Sequence, residues 1–173
     1  DHVLAGGPTI SLADMEGDGQ PEVIIGSLVL EGTDGTLRWD GTAGTPEGDK
    51  LVGQGHNLFG PVSSVVDVDQ DGRMEVFAGN TLYGHDGQVR WRFEYDSENS
   101  SCTRSNPNIG MTCDGYNGVV DFDGDGLPEL VSVRLGEIWV IDAETARLDA
   151  KFRVPHEDCF DDEGRVRNES GPP

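Results

Sequence analysis

One acidic nine-residue segment occurs three times in this chain, as Asp14-Met-Glu16-Gly-Asp18-Gly-Gln-Pro-Glu22, Asp67-Val-Asp69-Gln-Asp71-Gly-Arg-Met-Glu75 and Asp121-Phe-Asp123-Gly-Asp125-Gly-Leu-Pro-Glu129. The copies stand at nearly equal intervals, so each belongs to a repeating structural unit and is not a chance run of carboxylates. The units span approximately 8–60, 61–117 and 118–171. A fourth is expected to begin at the C-terminal Gly171-Pro172-Pro173, which matches Gly7-Pro8-Thr9 and Gly60-Pro61-Val62 ahead of the earlier units.

Every unit has the same order: a short apolar run, the acidic segment, a second run, a Gly-containing turn, a third run, a polar turn and a fourth run. That order predicts a four-stranded antiparallel meander. In the first unit the runs are 9–13, 22–25, 28–30 and 36–39. In the second they are 62–66, 75–78, 81–83 and 88–93, and in the third 118–120, 129–133, 137–141 and 147–152. Asp34-Gly35 and Asp86-Gly87 mark the last turn of the first two units, whereas the third uses Asp142-Ala-Glu-Thr145. Runs such as Val23-Ile-Ile25 and Val65-Val66 are continuous more than alternating, as in strands covered on both faces. A lone four-stranded sheet cannot cover both of its faces, but radially stacked sheets can, and they protect their edges as well. The fold class is therefore all-β: three four-stranded antiparallel meanders forming β-propeller blades, a single segment over 1–173 and part of a larger propeller. Twenty-five glycines and 9 prolines agree with short strands and many turns.

The 33 acidic and 12 basic residues give a formal charge of −21, which disfavours nucleic acid and anionic membrane surfaces and favours cations. No apolar run is long enough to span a membrane, and the N-terminal residues have no signal-like core. Without an initiator Met, the chain reads as processed or excised. Cys102 and Cys113 bracket a short segment rich in Asn, Ser, Pro and Gly and are expected to form a disulfide; neither has zinc-ligand spacing to a histidine. Cys159 either pairs outside this chain or is a free thiol. A disulfide implies an extracellular or cell-surface setting, or a periplasmic one.

Within the acidic segment, carboxylates fall at positions 1, 3, 5 and 9, glycine holds position 6, and position 7 varies among Gln20, Arg73 and Leu127. A residue that offers only its backbone carbonyl is free to vary in this way. Calcium takes about six to eight oxygens, largely carboxylate, whereas Mg²⁺ prefers water-rich octahedral sites. The glycines at position 6 permit a sharp bend, and the apolar position 2, Met15, Val68 and Phe122, is expected to anchor the loop from below. An EF-hand would carry a glutamate at position 12, where this chain has Ile25, Ala78 and Ser132, and it would be flanked by helices. Solvated acidic turns without metal would not require three copies in register. About three Ca²⁺, one per unit, are expected.

These units resemble FG-GAP or VCBS-type repeats, the calcium-loop blades of integrin α-subunit propellers and many bacterial secreted proteins. Asp67 to Glu75 and Asp121 to Glu129 match that family's Asp-x-Asp-x-Asp-Gly-x-x-Asp/Glu loop. The resemblance implies that Asp67, Asp69, Asp71 and Glu75 ligate calcium together with the Arg73 carbonyl, and that Asp121, Asp123, Asp125 and Glu129 do so with the Leu127 carbonyl. The first loop would use Asp14, Asp18, Glu22 and the Gln20 carbonyl, with Glu16 at position 3, where a longer side chain shifts or weakens the site. No catalytic residue is expected. Protein ligands filling the loop leave no open position for activated water, so the expected role is non-enzymatic: a calcium-stabilised extracellular propeller segment for adhesion, surface display or assembly. A carbohydrate-active propeller, lectin or polysaccharide lyase, is the alternative, and a subunit of a self-assembling extracellular fibre is a further one. A protein or glycan partner would bind on the face opposite the calcium loops, where the long connectors lie.

His2, His56, His85 and His156 are scattered and support no triad, and His85 falls in a turn. Trp39 and Trp91 occupy equivalent fourth-strand positions and Trp139 a third-strand one, as inter-blade packing requires. Asn99 and Asn168 head glycosylation sequons whose use depends on the source.

Overall fold

The computed structural model of the protein describes residues 9–41, 62–93, 116–134 and 137–153. The expected Cys102–Cys113 bridge, Cys159, both sequons and the long connectors lie outside these residues. Twelve strands form three sheets, each a meander in chain order. The first contains β1 (Ser11–Ala13), β2 (Glu22–Ile25), β3 (Leu28–Leu30) and β4 (Leu37–Asp40). The second contains β5 (Ser63–Val66), β6 (Glu75–Ala78), β7 (Thr81–Tyr83) and β8 (Val89–Arg92). The third contains β9 (Tyr116–Val120), β10 (Glu129–Arg134), β11 (Glu137–Asp142) and β12 (Leu148–Arg153). These match the runs read from sequence to within a residue or two. Each acidic loop joins the first strand of its sheet to the second. Among the described residues no helix is long and apolar enough to cross a membrane.

The sheets stack face to face as an open row of partial propeller blades, with the innermost strands β1, β5 and β9 side by side. Between the first two sheets Met15, Ile24 and Val29 meet Val76, Ala78 and Tyr83. Between the second and third, Val68, Phe77, Leu82 and Phe93 meet Leu130, Trp139 and Ile141. Each gap is also bridged by a tryptophan. Trp39 Nε1 donates to the His85 carbonyl at 3.0 Å, and Trp91 Nε1 donates to the Ala143 carbonyl at 2.9 Å, so each fourth strand is tied to the last turn of the next sheet. Gly87 leaves room for the first of these contacts, since a Cβ there would lie 2.7 Å from the Trp39 ring. Trp139 meets Phe93 across the second gap at 6.0 Å. His85 is therefore a joint of the fold and not merely an exposed turn residue.

Continuous apolar runs were expected to be covered on both faces; whole strands are so only in the middle sheet, while in the third the run Trp139-Val140-Ile141 of β11 is. In the middle sheet β6 and β7 are buried at every position, whereas β2 alternates between buried and half-buried. On the first sheet Leu12 is 68% exposed, while its counterparts Val65 and Val119 pack into the two cores. On the third, Phe122 is 60% exposed, in contrast to the expectation that position 2 always anchors its loop. The equivalent Met15 and Val68 are buried because the following sheet covers them; among the described residues nothing covers Phe122.

The turn before each last strand is closed by an aspartate. In the third sheet one Asp142 oxygen accepts from both the Thr145 amide and its hydroxyl at 2.7 Å. Burial opposes the Asp142 charge, but these donors outweigh it and hold the carboxyl below its ordinary value of 3.8. A depressed pKa gives stability that is present above the unfolded value and is lost as pH falls through the folded one. Asp142→Ala should therefore cost about 1 kcal/mol in urea unfolding at neutral pH. The difference from the parent should close as pH falls below 3.8; a pH-independent difference would assign the loss to the turn backbone.

Candidate metal centre

The three acidic loops share one internal scaffold. The position-1 aspartate folds the loop over itself by accepting two backbone N–H groups. Asp14 takes those of Asp18 and Gly19 at 2.9 and 2.7 Å, and Asp67 takes those of Asp71 and Gly72 at 3.0 and 2.9 Å. Asp121 takes those of Gly124 and Gly126 at 2.7 and 3.1 Å. The position-5 aspartates Asp18, Asp71 and Asp125 each accept the position-7 N–H at 2.8 Å. That uses the amides of Gln20, Arg73 and Leu127 inside the loop and leaves their carbonyls as the groups to offer a cation.

Positions 4 and 6 are both left-handed. Gly19, Gly72 and Gly126 have φ of 86, 86 and 92°, and position 4 follows with Gly17 at 73°, Gln70 at 58° and Gly124 at 79°. A left-handed glutamine costs about 1 kcal/mol. Gln70 offsets it by donating from Nε2 to the Gly126 carbonyl of the next loop at 2.7 Å. The first and second loops are joined instead through backbone, Met74 N–H to the Met15 carbonyl at 2.9 Å. Pro128 takes the place of Met74 in the third loop and has no N–H for such a bond.

The position-9 glutamates do more than offer ligands. Glu22, Glu75 and Glu129 are only 3, 2 and 6% exposed, and one oxygen of each accepts the position-2 N–H, at 2.9 Å from Met15, 2.9 Å from Val68 and 2.5 Å from Phe122. Burial pushes Glu75 above its ordinary value, against the pull of the Val68 amide and Arg90. Burial also pushes Glu129 upward, and Asp123, Asp125 and Asp121 add to it against the Phe122 amide. A carboxylate held in that state gains from any cation placed beside it.

In the first two loops a cation of the protein itself stands there. Arg90 places Nη2 2.6 Å from Asp69 and Nη1 3.0 Å from Glu75. The hydrogen bond from Arg90 lowers the Asp69 pKa. Arg38 repeats the fork, pairing with Glu16 and reaching Glu22 at 3.3 Å and Glu31 at 3.8 Å. Local spacing in the sequence did not point to these arginines, because a β-bulge aims them. In each sheet the pairing of the last two strands skips one residue, between Leu37 and Trp39, Val89 and Trp91, and Leu148 and Ala150. The skipped residues are Arg38, Arg90 and Asp149. A bulge re-aims its side chain.

Two of the loops bring three carboxylate oxygens within 4.8 Å of one another: Asp67, Asp69 and Asp71 in the second, and Asp121, Asp123 and Glu129 in the third. Ligands around calcium at roughly 2.3 to 2.6 Å stand no more than about 5 Å apart, so both groups suit that ion, and their donors are all oxygen. Of the expected ligands, Glu75 lies outside its group, paired with Arg90, and Asp125 lies outside the third. Asp14, Glu16 and Asp18 form no such group among the described residues. Glu16, expected to disturb this loop by its length, pairs with Arg38.

Residues 67–132 match the FG-GAP-like repeat family. No curated protein matches the chain. The structure of the V. cholerae biofilm matrix protein Bap1 is similar over 86% of this chain and 20% of its own, with 22% identity and a TM-score of 0.56, a likeness of fold. Rhamnogalacturonan lyase YesW is more distantly similar, with 21% identity over 75% of this chain and 19% of its own, and a TM-score of 0.43. The chain thus spans 20% or less of either protein.

Proposed function

We propose that this chain is a non-enzymatic, extracellular propeller segment whose acidic loops bind Ca²⁺ as a structural ion, in the service of adhesion, surface display or matrix assembly. The observation that carries the reading is the shared loop scaffold, with carboxylate oxygens grouped within 4.8 Å in the second and third copies. Hard, anionic, oxygen-only donors on a left-handed turn fit calcium better than any softer or smaller ion. Asp67, Asp69, Asp71, Asp121, Asp123 and Glu129 would hold it, with the Arg73 and Leu127 carbonyls. Bound calcium would supply charge neutralisation to loops that link the first two strands of each sheet. Fold similarity to a biofilm matrix protein agrees with a surface or matrix setting.

Replacing Asp67, Asp69 and Asp71 together by Ala should lower the bound calcium, measured by elemental analysis after dialysis, by one ion per chain. Unchanged stoichiometry would show the ligand assignment to be wrong. A polysaccharide-degradation assay run beside a glycan array separates the roles. Chain cleavage by the calcium-loaded protein would overturn the non-enzymatic reading.

A further inference from the structure

We infer that the three loops are graded in calcium affinity by the residue at the β-bulge of each last strand, Arg38 and Arg90 acting as tethered cations and Asp149 leaving the third loop the tightest. The inference rests on the calcium reading above and adds an order to it. Arg90 spans the position-3 and position-9 carboxylates of the second loop at 2.6 and 3.0 Å. Arg38 spans the same two positions of the first, Glu16 and Glu22. A guanidinium stays charged at all accessible pH, so it repels an incoming divalent ion permanently and keeps two of the loop's carboxylates engaged.

The third loop has the same scaffold, and its sheet has the same bulge, but the bulge residue is Asp149, 2.8 Å from Arg147. Among the described residues no basic side chain pairs with Asp121, Asp123, Asp125 or Glu129. The difference also appears in the oxygen groups. In the second loop Arg90 holds Asp69, a member of the oxygen group, and Glu75 beside it, whereas the third group of Asp121, Asp123 and Glu129 has no such cation among the described residues. In the first loop the arginine holds Glu16, and no cluster forms among the described residues. Affinity of such sites follows ligand charge, so filling should run third, second, first.

The test is a titration of the calcium-free full chain with Ca²⁺, followed by NMR on the amides of Gly19, Gly72 and Gly126. Each of these donates to its own position-1 aspartate and reports its own loop. Gly126 should move at the lowest calcium and Gly19 at the highest. Arg90→Gln keeps a polar side chain without the charge and should tighten the Gly72 transition by about tenfold, the effect of one unit charge several ångströms from a divalent ion in water. Asp149→Arg should weaken the Gly126 transition by about as much, and the rest of each spectrum verifies that the variant is folded. A common midpoint that neither variant moves, or weaker binding in Arg90→Gln, would overturn the grading while leaving the calcium reading intact. No response from any of the three glycines would overturn the calcium reading and the grading with it.

Discussion

Stripping calcium with excess chelator should lower the melting temperature of this protein by on the order of 10 °C or more. A ligand that binds only the folded state contributes about 2.7 kcal/mol per site at a hundredfold excess over its dissociation constant. For a chain of this length, each kilocalorie corresponds to roughly 2 to 4 °C, so filling two loops alone reaches that range. The direction follows from the site itself. Without a cation, Asp121, Asp123, Asp125 and Glu129 are left near one another and short of compensating charge, and Glu129, pushed upward first by burial, is pushed further by these acidic neighbours. Differential scanning calorimetry with calcium, with chelator, and with calcium restored after chelation is the measurement. Recovery with calcium but not with magnesium is expected; identical melts in all conditions would remove calcium from the account of this fold.

The second large effect belongs to the core. Phe77 is fully buried on the middle sheet, packs with the Trp91 ring at 5.7 Å and lies in the cluster shared with Leu130 and Trp139. Phe77→Ala should destabilise by about 3 to 5 kcal/mol, combining lost transfer energy with the cavity that neighbouring side chains cannot fill. Phe122→Ala is the matched control. That ring is 60% exposed, and its removal should change stability by less than about 0.5 kcal/mol. Both are read from urea unfolding in saturating calcium with the m-value held constant. Similar losses at the two positions would mean that the third sheet is covered after all.

Much of the architecture was legible because the chain repeats itself. Strand runs, the Asp-Gly turns and the equivalence of Trp39 with Trp91 recur in register, so each copy checks the others. The acidic loops were legible for the same reason, and their scaffold made sense of the glycine at position 6. What failed to show was whatever depends on a neighbour distant in sequence. The contact of Arg38 and Arg90 with the loops comes through a strand bulge, and nothing in local spacing marks a bulge. The left-handed conformation of Gln70 was hidden because glutamine rarely adopts it, and only the Gly126 carbonyl of the next loop gives it a reason. Phe122 has the right chemistry for an anchor, but burial is a property of what lies opposite, which a side chain's type does not encode.

The stacking of the sheets has a direction. Both junctions among the described residues place the Trp39 or Trp91 side of one sheet against the turn side of the next, so the two faces of a sheet are not interchangeable. Leu12 marks the outer face of the first sheet and Phe122 that of the third, where Ala150 pairs with Val140 in the place that Trp39 and Trp91 hold in the other two sheets. Sheets joined in this way succeed one another head to tail, and a succession with constant rotation either closes into a ring or runs on. The polarity of the tryptophan contact thus sets the direction in which sheets of this kind follow one another.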